Sequence, residues 1–150
     1  INHKDTKIKI NKNIMEFRSS HIKKTKKETR SELSWKIMGE LIKKKIGVLF
    51  ILKYKKKIIS YLYCGTYNKF SWGWSQLNMP LDQFKTDFKM EPRHILEWKT
   101  IKYMKKNSFE NYDLGDCFKD TSKYTKKELS ISLFKKKFGS RVYKNKIYFL

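Results

Sequence analysis

The sequence predicts an α/β domain in which a mixed sheet carries helices on its faces. Three observations point there. Two stretches open on a Thr-x-x-Glu signature, Thr29–Glu32 and Thr125–Glu128, and continue with apolar residues at helical spacing. Two apolar, β-rich runs, VLFILKY at Val48–Tyr54 and IISYLYC at Ile58–Cys64, stand on either side of KKK. From there to the C-terminus, strand-like and helix-like stretches alternate.

In chain order, Ile1–Asn13 alternates charge with Ile, and Lys7–Ile10 reads as a short strand within a lead-in of residues 1–14. Met15–Lys24 reads as a helix on the strength of Ile14 and Phe17, although Met15, Arg18, Ser19 and Ile22 make a poor apolar stripe. His21–Arg30, HIKKTKKETR, is a charged linker. The capping box at Thr29–Glu32 then starts a helix carrying Leu33, Trp35, Ile37, Met38, Leu41 and Ile42, which ends near Gly47. Val48–Tyr54 and Ile58–Cys64 pair as an antiparallel hairpin without a glycine turn signal, and Thr66–Gln76, TYNKFSWGWSQ, follows as a third strand. Gly73 between Trp72 and Trp74 predicts a bulge or a close approach of backbone. Asn78–Pro80 breaks the pattern.

Pro92 suits a first helical turn, because its missing N–H is not needed there. The helix it opens runs to about Lys106 and stops at Asn107, with Ile95, Trp98, Lys99, Lys102 and Tyr103 on its faces beside Leu96 and Met104. Phe109–Leu114 is a buried strand feeding Gly115, and Asp116–Tyr124 is a polar loop. In the helix opened by Thr125, Leu129, Leu133 and Lys137 share one side and Ile131, Phe134 and Phe138 the adjoining one. Leu129, Leu133, Phe134 and Phe138 are expected inside and Lys136 outside. Gly139 ends this helix, and Val142–Leu150 is the last strand.

Composition bounds the function. The 39% hydrophobic and 15% aromatic content argues against disorder despite a formal charge of +22. Such a charge suits a polyanionic partner, but only four of the 36 basic residues are Arg. A Lys-, Ile-, Asn- and Tyr-rich chain is also what A/T-rich coding gives, with lysines spread over every solvated face, and both readings stand. Cys64 and Cys117 are too few for a disulfide framework or a zinc site, which predicts a reduced, cytoplasmic setting. His3, His21 and His94 show no ligand spacing, so no metal is expected. No apolar run approaches the roughly 20 residues that span a bilayer. The chain begins with Ile and lacks a signal-peptide core, which predicts a fragment or the end of a longer protein.

The helix HILEWKTIKYMKK, the strand FENYDLGD, a variable loop and SISLFKKKFG before a final strand resemble, in that order, the C-terminal part of the FemAB/FemX-like proteins. These relatives of the GNAT acetyltransferases transfer amino acids from aminoacyl-tRNA to peptidoglycan precursors. The resemblance covers most of the chain from about Phe17 onward. It implies a single GNAT-like domain over residues 1–150, with a central, mostly antiparallel sheet flanked by helices, forming the C-terminal half of a two-domain protein. Thr29, Arg30 and Trp35 match a helix opening that brings Arg and Trp towards the acceptor side of a cleft. The Phe134–Lys135 pair matches one placed near the aminoacyl-tRNA end.

Chemistry can be assigned within that frame. Lys135 is a candidate catalytic residue, its ammonium stabilising the oxyanion that forms when an acceptor amine attacks an ester. It also reads as one of three solvated lysines. Asp113, where a strand leaves the sheet, is a candidate for orienting the amine or taking its proton, since ligands of open sheets gather at strand ends. It also reads as a turn carboxylate serving its own loop. Arg30, Trp35, Trp74, Tyr112 and Phe134 are candidate substrate-binding residues, and the aromatic ones, like Tyr67, read equally as packing.

NMPLDQFKTDFKMEPRH, ahead of and into the Pro92 helix, has no glycine and so lacks the Gly-rich turn that would cradle a coenzyme A pyrophosphate. No cofactor is therefore expected. The partners implied are an aminoacyl-tRNA donor, a cell-envelope precursor as acceptor and a peripheral contact with the inner face of an anionic membrane, with no DNA. Two other readings remain: an N-acyltransferase using acyl-CoA on a surface-polysaccharide sugar, and a noncatalytic basic module that binds RNA or anionic membrane.

Overall fold

The computed structural model describes residues 1–79, 81–115, 125–139 and 141. They fall into two compact units, Ile1–Asp113 and Leu114–Leu150. The first contains helices α1 (Lys7–Thr25) and α2 (Glu32–Lys43), strands β1 (Gly47–Tyr54), β2 (Lys57–Tyr67) and β3 (Phe70–Asn78), helices α3 (Asp82–Phe88) and α4 (Pro92–Lys106), and strand β4 (Asn111–Asp113). The described part of the second holds helix α5 (Lys126–Lys136). The polar loop Asp116–Tyr124 and the final strand Val142–Leu150 lie outside the described residues.

The lead-in is helical. The strand expected at Lys7–Ile10 is instead the first turn of α1, capped by Thr6, whose hydroxyl accepts from the Lys9 amide at 3.3 Å. The Lys/Ile alternation misleads because Ile8 is 81% exposed, while Ile10, Ile14 and Phe17 form the buried stripe. Helix α1 also takes in half of the expected linker and ends on Lys26 in a left-handed conformation (φ 59°). The cap of α2 is Ser31, two residues past the expected Thr29. Glu32 is drawn away from a capping role by Lys36 at 2.8 Å and Arg18 at 3.5 Å, and the Thr29 hydroxyl lies against the His21 ring. Helix α2 ends at Lys43, short of Gly47. Trp35, Met38, Gly39 and Ile42 are its buried stripe, which leaves Leu33 and Ile37 outside.

The sheet runs β1-β2-β3-β4, antiparallel up to β3 and parallel between β3 and β4. Both hairpins close with two residues. Lys55 and Lys56 turn β1 into β2 with φ of 46° and 66°, a left-handed pair that matches the twist of the strands. Asn68 and Lys69 turn β2 into β3, so Gly65–Tyr67 belong to the second strand and the third starts at Phe70, not Thr66. The bulge expected near Gly73 is present: Tyr63 pairs with Ser75 and Cys64 with Gly73, leaving Trp74 as the extra residue.

One sheet face receives α1 and α2 around Ile10, Ile14, Phe17, Trp35, Met38, Ile42, Leu49, Tyr61, Tyr63 and Leu77. Phe17 joins its layers, stacked on Tyr61 at 4.7 Å and edge-on to Trp35 at 4.9 Å. The other face receives α4, where Leu62, Cys64, Leu96 and Met104 pack with Phe50, Leu52, Tyr103, Phe109 and Tyr112. The buried stripe of α4 is Pro92, Leu96, Glu97, Thr100 and Met104, so Trp98, Lys99 and Lys102 face out. Among the described residues β4 is only three residues long, and Asn111 and Asp113 are exposed, unlike the buried strand expected over Phe109–Leu114.

In the second unit, the capping box of α5 is reciprocal as read: the Glu128 amide donates to Thr125 Oγ1 at 3.3 Å, and the Thr125 amide to Glu128 Oε2 at 2.7 Å. Gly139 has the positive φ (74°) foreseen for it. The helix phase differs from expectation at Leu133, which is 60% exposed while Phe134 is buried and Leu129 and Phe138 are half-buried.

Candidate functional site

The parallel pair β3–β4 has three rungs, Phe70–Asn111, Ser71–Tyr112 and Trp72–Asp113. Past Trp72, β3 continues to Asn78 with no strand beside it on that edge among the described residues. Among the described residues the sheet therefore opens at the C-terminal end of β4, and the Trp74 bulge sits at the point of separation. An open strand edge offers main-chain donors and acceptors to an extended ligand. Asp113, an exposed carboxylate on the last rung, stands at its mouth.

On the α1/α2 face the opening is bordered by Arg30. Its Nη1 donates to Ser75 Oγ at 2.5 Å and its Nη2 to the Trp74 carbonyl at 3.2 Å, an acceptor that the bulge has removed from the ladder. The guanidinium also lies 5.9 Å from the centre of the Trp35 ring. Burial pushes the Arg30 pKa below its ordinary value, and burial followed by the Arg30 charge does the same to His21. Trp35 is 1% exposed and acts as the wall behind the guanidinium, while Trp74 is 42% exposed and Tyr67 65%.

On the α4 face the last rungs are pinned by a polar cluster. The Tyr112 hydroxyl donates to Glu97 Oε1 at 2.5 Å and lies 3.8 Å from Cys64 Sγ. Glu97 is 4% exposed, and a buried carboxylate is tolerable only when strong donors reach it. Burial, then the neighbouring Cys64 and Glu97, pushes the Tyr112 pKa far up, and burial does the same to the Cys64 thiol. Gly73 lies beside this cluster: a methyl group there would be in van der Waals contact with the Tyr112 oxygen at 3.4 Å. The Thr100 hydroxyl and the Gln76 amide nitrogen are also buried and have no hydrogen-bond partner among the described residues. Ser71 Oγ donates to the Asn111 carbonyl at 3.0 Å, a further tie across the short ladder.

In the second unit, Phe134 packs edge-on to Phe138 at 5.0 Å. Lys135 Nζ lies 3.4 Å from where a Cβ on Gly115 would be, and Gly115 has a positive φ of 78°. Phe134 and Lys135 thus belong to the chain after β4, and the other candidates to the unit that ends on Asp113.

No family model, curated protein or solved structure matches the chain. The site is accordingly defined by its own geometry. Of the residues singled out from the sequence, Arg30, Trp35 and Trp74 come together on one face, and Tyr112 and Asp113 sit on successive rungs of β4. Glu97, Ser75 and Thr100 were not foreseen. Spacing held a clue to two of them: Glu97, Thr100 and Met104 recur at i, i+3 and i+7, which puts a carboxylate within a buried stripe. Among the described residues no helix is long and apolar enough to cross a membrane, and no group of three or more His, Cys, Asp or Glu side chains converges as metal ligands.

Proposed function

We propose that the chain is a GNAT-like domain of a FemAB/FemX-like transferase, which forms an amide on a cell-envelope precursor with an aminoacyl-tRNA as donor. The observation that carries this reading is the opening between β3 and β4, where a strand delivered by a crossover helix runs parallel to the last strand of an antiparallel meander and parts from it at a bulge. The order of α4, β4 and the capped α5, which follow the meander and the short α3, also supports the FemAB/FemX-like resemblance.

In the proposed reaction the acceptor amine attacks the ester carbonyl of the donor, a C–N bond forms, and the bond to the ribose oxygen breaks. Asp113 takes the proton from the attacking nitrogen, and that proton ends on the departing ribose hydroxyl. The resemblance assigns Lys135, in the second unit, to the oxyanion of the tetrahedral intermediate, and Phe134 beside it to the substrate. Arg30 and Trp74 hold substrate in the first unit. Tyr112 and Trp35 act behind them, Tyr112 fixing the rung next to Asp113 through Glu97, and Trp35 backing Arg30.

Incubating the protein with tRNA charged with labelled amino acids and a lipid-linked or nucleotide-linked muropeptide tests the reading. Transfer selective for one charged tRNA is expected. Transfer from acetyl-CoA but from no charged tRNA replaces it with the acyl-CoA reading, and transfer from neither leaves the binding-module reading.

A further inference from the structure

A concave feature lies along α1 and the β1–β2 hairpin. This cleft has a volume of about 580 Å³ and is lined by Lys9 and Lys12 from α1 and by Lys53 and Lys56 from the hairpin, with Glu16 the one carboxylate among them. Lys9 is held by Asp5 at 2.5 Å. Lys12, Lys53 and Lys56 form no ion pair among the described residues. Three lysines from two separate elements, without an ion pair among the described residues, thus line one concavity that holds a single carboxylate. The hairpin holds Lys55 and Lys56 at positive φ (46° and 66°), where Asn-Gly would be at ease, so lysine occupies this turn against its backbone preference.

We infer that this cleft binds the phosphate backbone of RNA. Lysine ammonium groups are compact point charges that suit phosphates in varied orientations, and the cleft has no Arg fork to select a single planar anion. Its lining extends along α1 from Lys9 to Ser20, roughly 16 Å at 1.5 Å per residue, which spans several phosphates of one strand rather than one nucleotide. Tyr61, the aromatic residue of the lining, is 1% exposed and offers no face on which a base could stack, so the contact reads backbone and not sequence. Ile58 and Met79 are partly buried against the core, so the lining gives a bilayer no protruding apolar anchor. That the RNA is the donor tRNA rests on the function proposed above, whereas the phosphate contact does not.

The test is fluorescence anisotropy of labelled, uncharged tRNA titrated with the protein between about 50 and 300 mM salt. Each phosphate contact contributes roughly 0.7–0.9 to the slope of log affinity against log salt. The Lys12→Gln/Lys53→Gln/Lys56→Gln variant should therefore flatten the slope by about 2 and weaken binding about tenfold or more at low salt. Glu16→Gln should tighten it. The control variant Lys99→Gln/Lys105→Gln/Lys106→Gln on α4 removes the same charge and should bind tRNA like wild type. Equal loss in both triple variants would show that only net charge matters, and binding to phosphatidylglycerol vesicles but not to tRNA would make the cleft a membrane contact; either overturns the inference. Cleft-dependent tRNA binding without aminoacyl transfer retains the cleft and rejects the transferase, and tRNA-dependent transfer with tRNA binding unchanged in the cleft variant does the reverse.

Discussion

The Tyr112 hydroxyl donates a 2.5 Å hydrogen bond to the Glu97 carboxylate, which ties β4 to α4, the helix that precedes it. Replacing Tyr112 with Phe removes a donor from a carboxylate that is 4% exposed. Urea denaturation should show a loss of about 2–3 kcal/mol, and Glu97→Leu added to Tyr112→Phe should recover part of it. A single variant as stable as wild type would mean that Glu97 does not depend on Tyr112.

Stability should fall as pH rises above about 9. Burial raises the pKa of Tyr61, Tyr63 and Tyr112 above the ordinary 10.0 and that of Cys64 above 9.0. The unfolded chain therefore releases these protons first, the folded chain binds more protons in that window, and the unfolding free energy declines with pH. Thermal melts between pH 8 and 11 check the sign. Absorbance at 295 nm, compared with that of Tyr61→Phe, Tyr63→Phe and Tyr112→Phe variants, should show that these three tyrosines stay protonated until the protein unfolds.

Gly65→Ala should destabilise by about 1–3 kcal/mol through overpacking. The added methyl would lie 2.3 Å from Cζ2 of Trp72, and a ring held in the sheet cannot swing away as a flexible chain end would. A shift in tryptophan emission should accompany the loss, and Trp72→Leu in the same chain should relieve it.

Neighbouring positions on α5 should respond in opposite ways. Phe134→Ala truncates a buried ring and should lose about 3–5 kcal/mol, whereas Leu133→Ala, at a 60% exposed site, should stay within about 0.5 kcal/mol of wild type. Phe138→Ala, half-buried, should fall between them. Equal melting of the Leu133 and Phe134 variants would put the helix in another phase.

If Lys135 acts as proposed, on the intermediate alone, Lys135→Ala should lower kcat and kcat/KM together by roughly 10²–10³-fold. Lys136→Ala, on the next, exposed residue, is the matched control. Equal losses in aminoacyl transfer would make net charge the cause and remove Lys135 from the mechanism.

The β1–β2 hairpin was legible because both strands are written in long apolar runs, and α4 and α5 because Pro92 and the Thr125–Glu128 box mark their starts. The first helix was obscured by Lys/Ile alternation over only four residues, a pattern that both a strand and a helix edge can show, and only the longer interval Ile10–Ile14–Phe17 separates the two. Helix α3, seven residues long, is too short for periodicity to mark. Asp113 could be placed at a strand end from YDLG alone. The setting of Tyr112 could not, because its partner Glu97 lies 15 positions away on a helix and only the fold joins them.

The three rungs between β3 and β4 also fix when the opening is built. Both hairpins close across two residues, but the Ser71–Asn111 tie joins positions 40 apart in the chain and must await α4. The meander can form as a local folding unit, and the strand that presents Asp113 docks late. Its amides should then be among the first in the sheet to exchange with solvent, so that the mouth of the opening loosens under mild stress while the rest of the sheet is still folded.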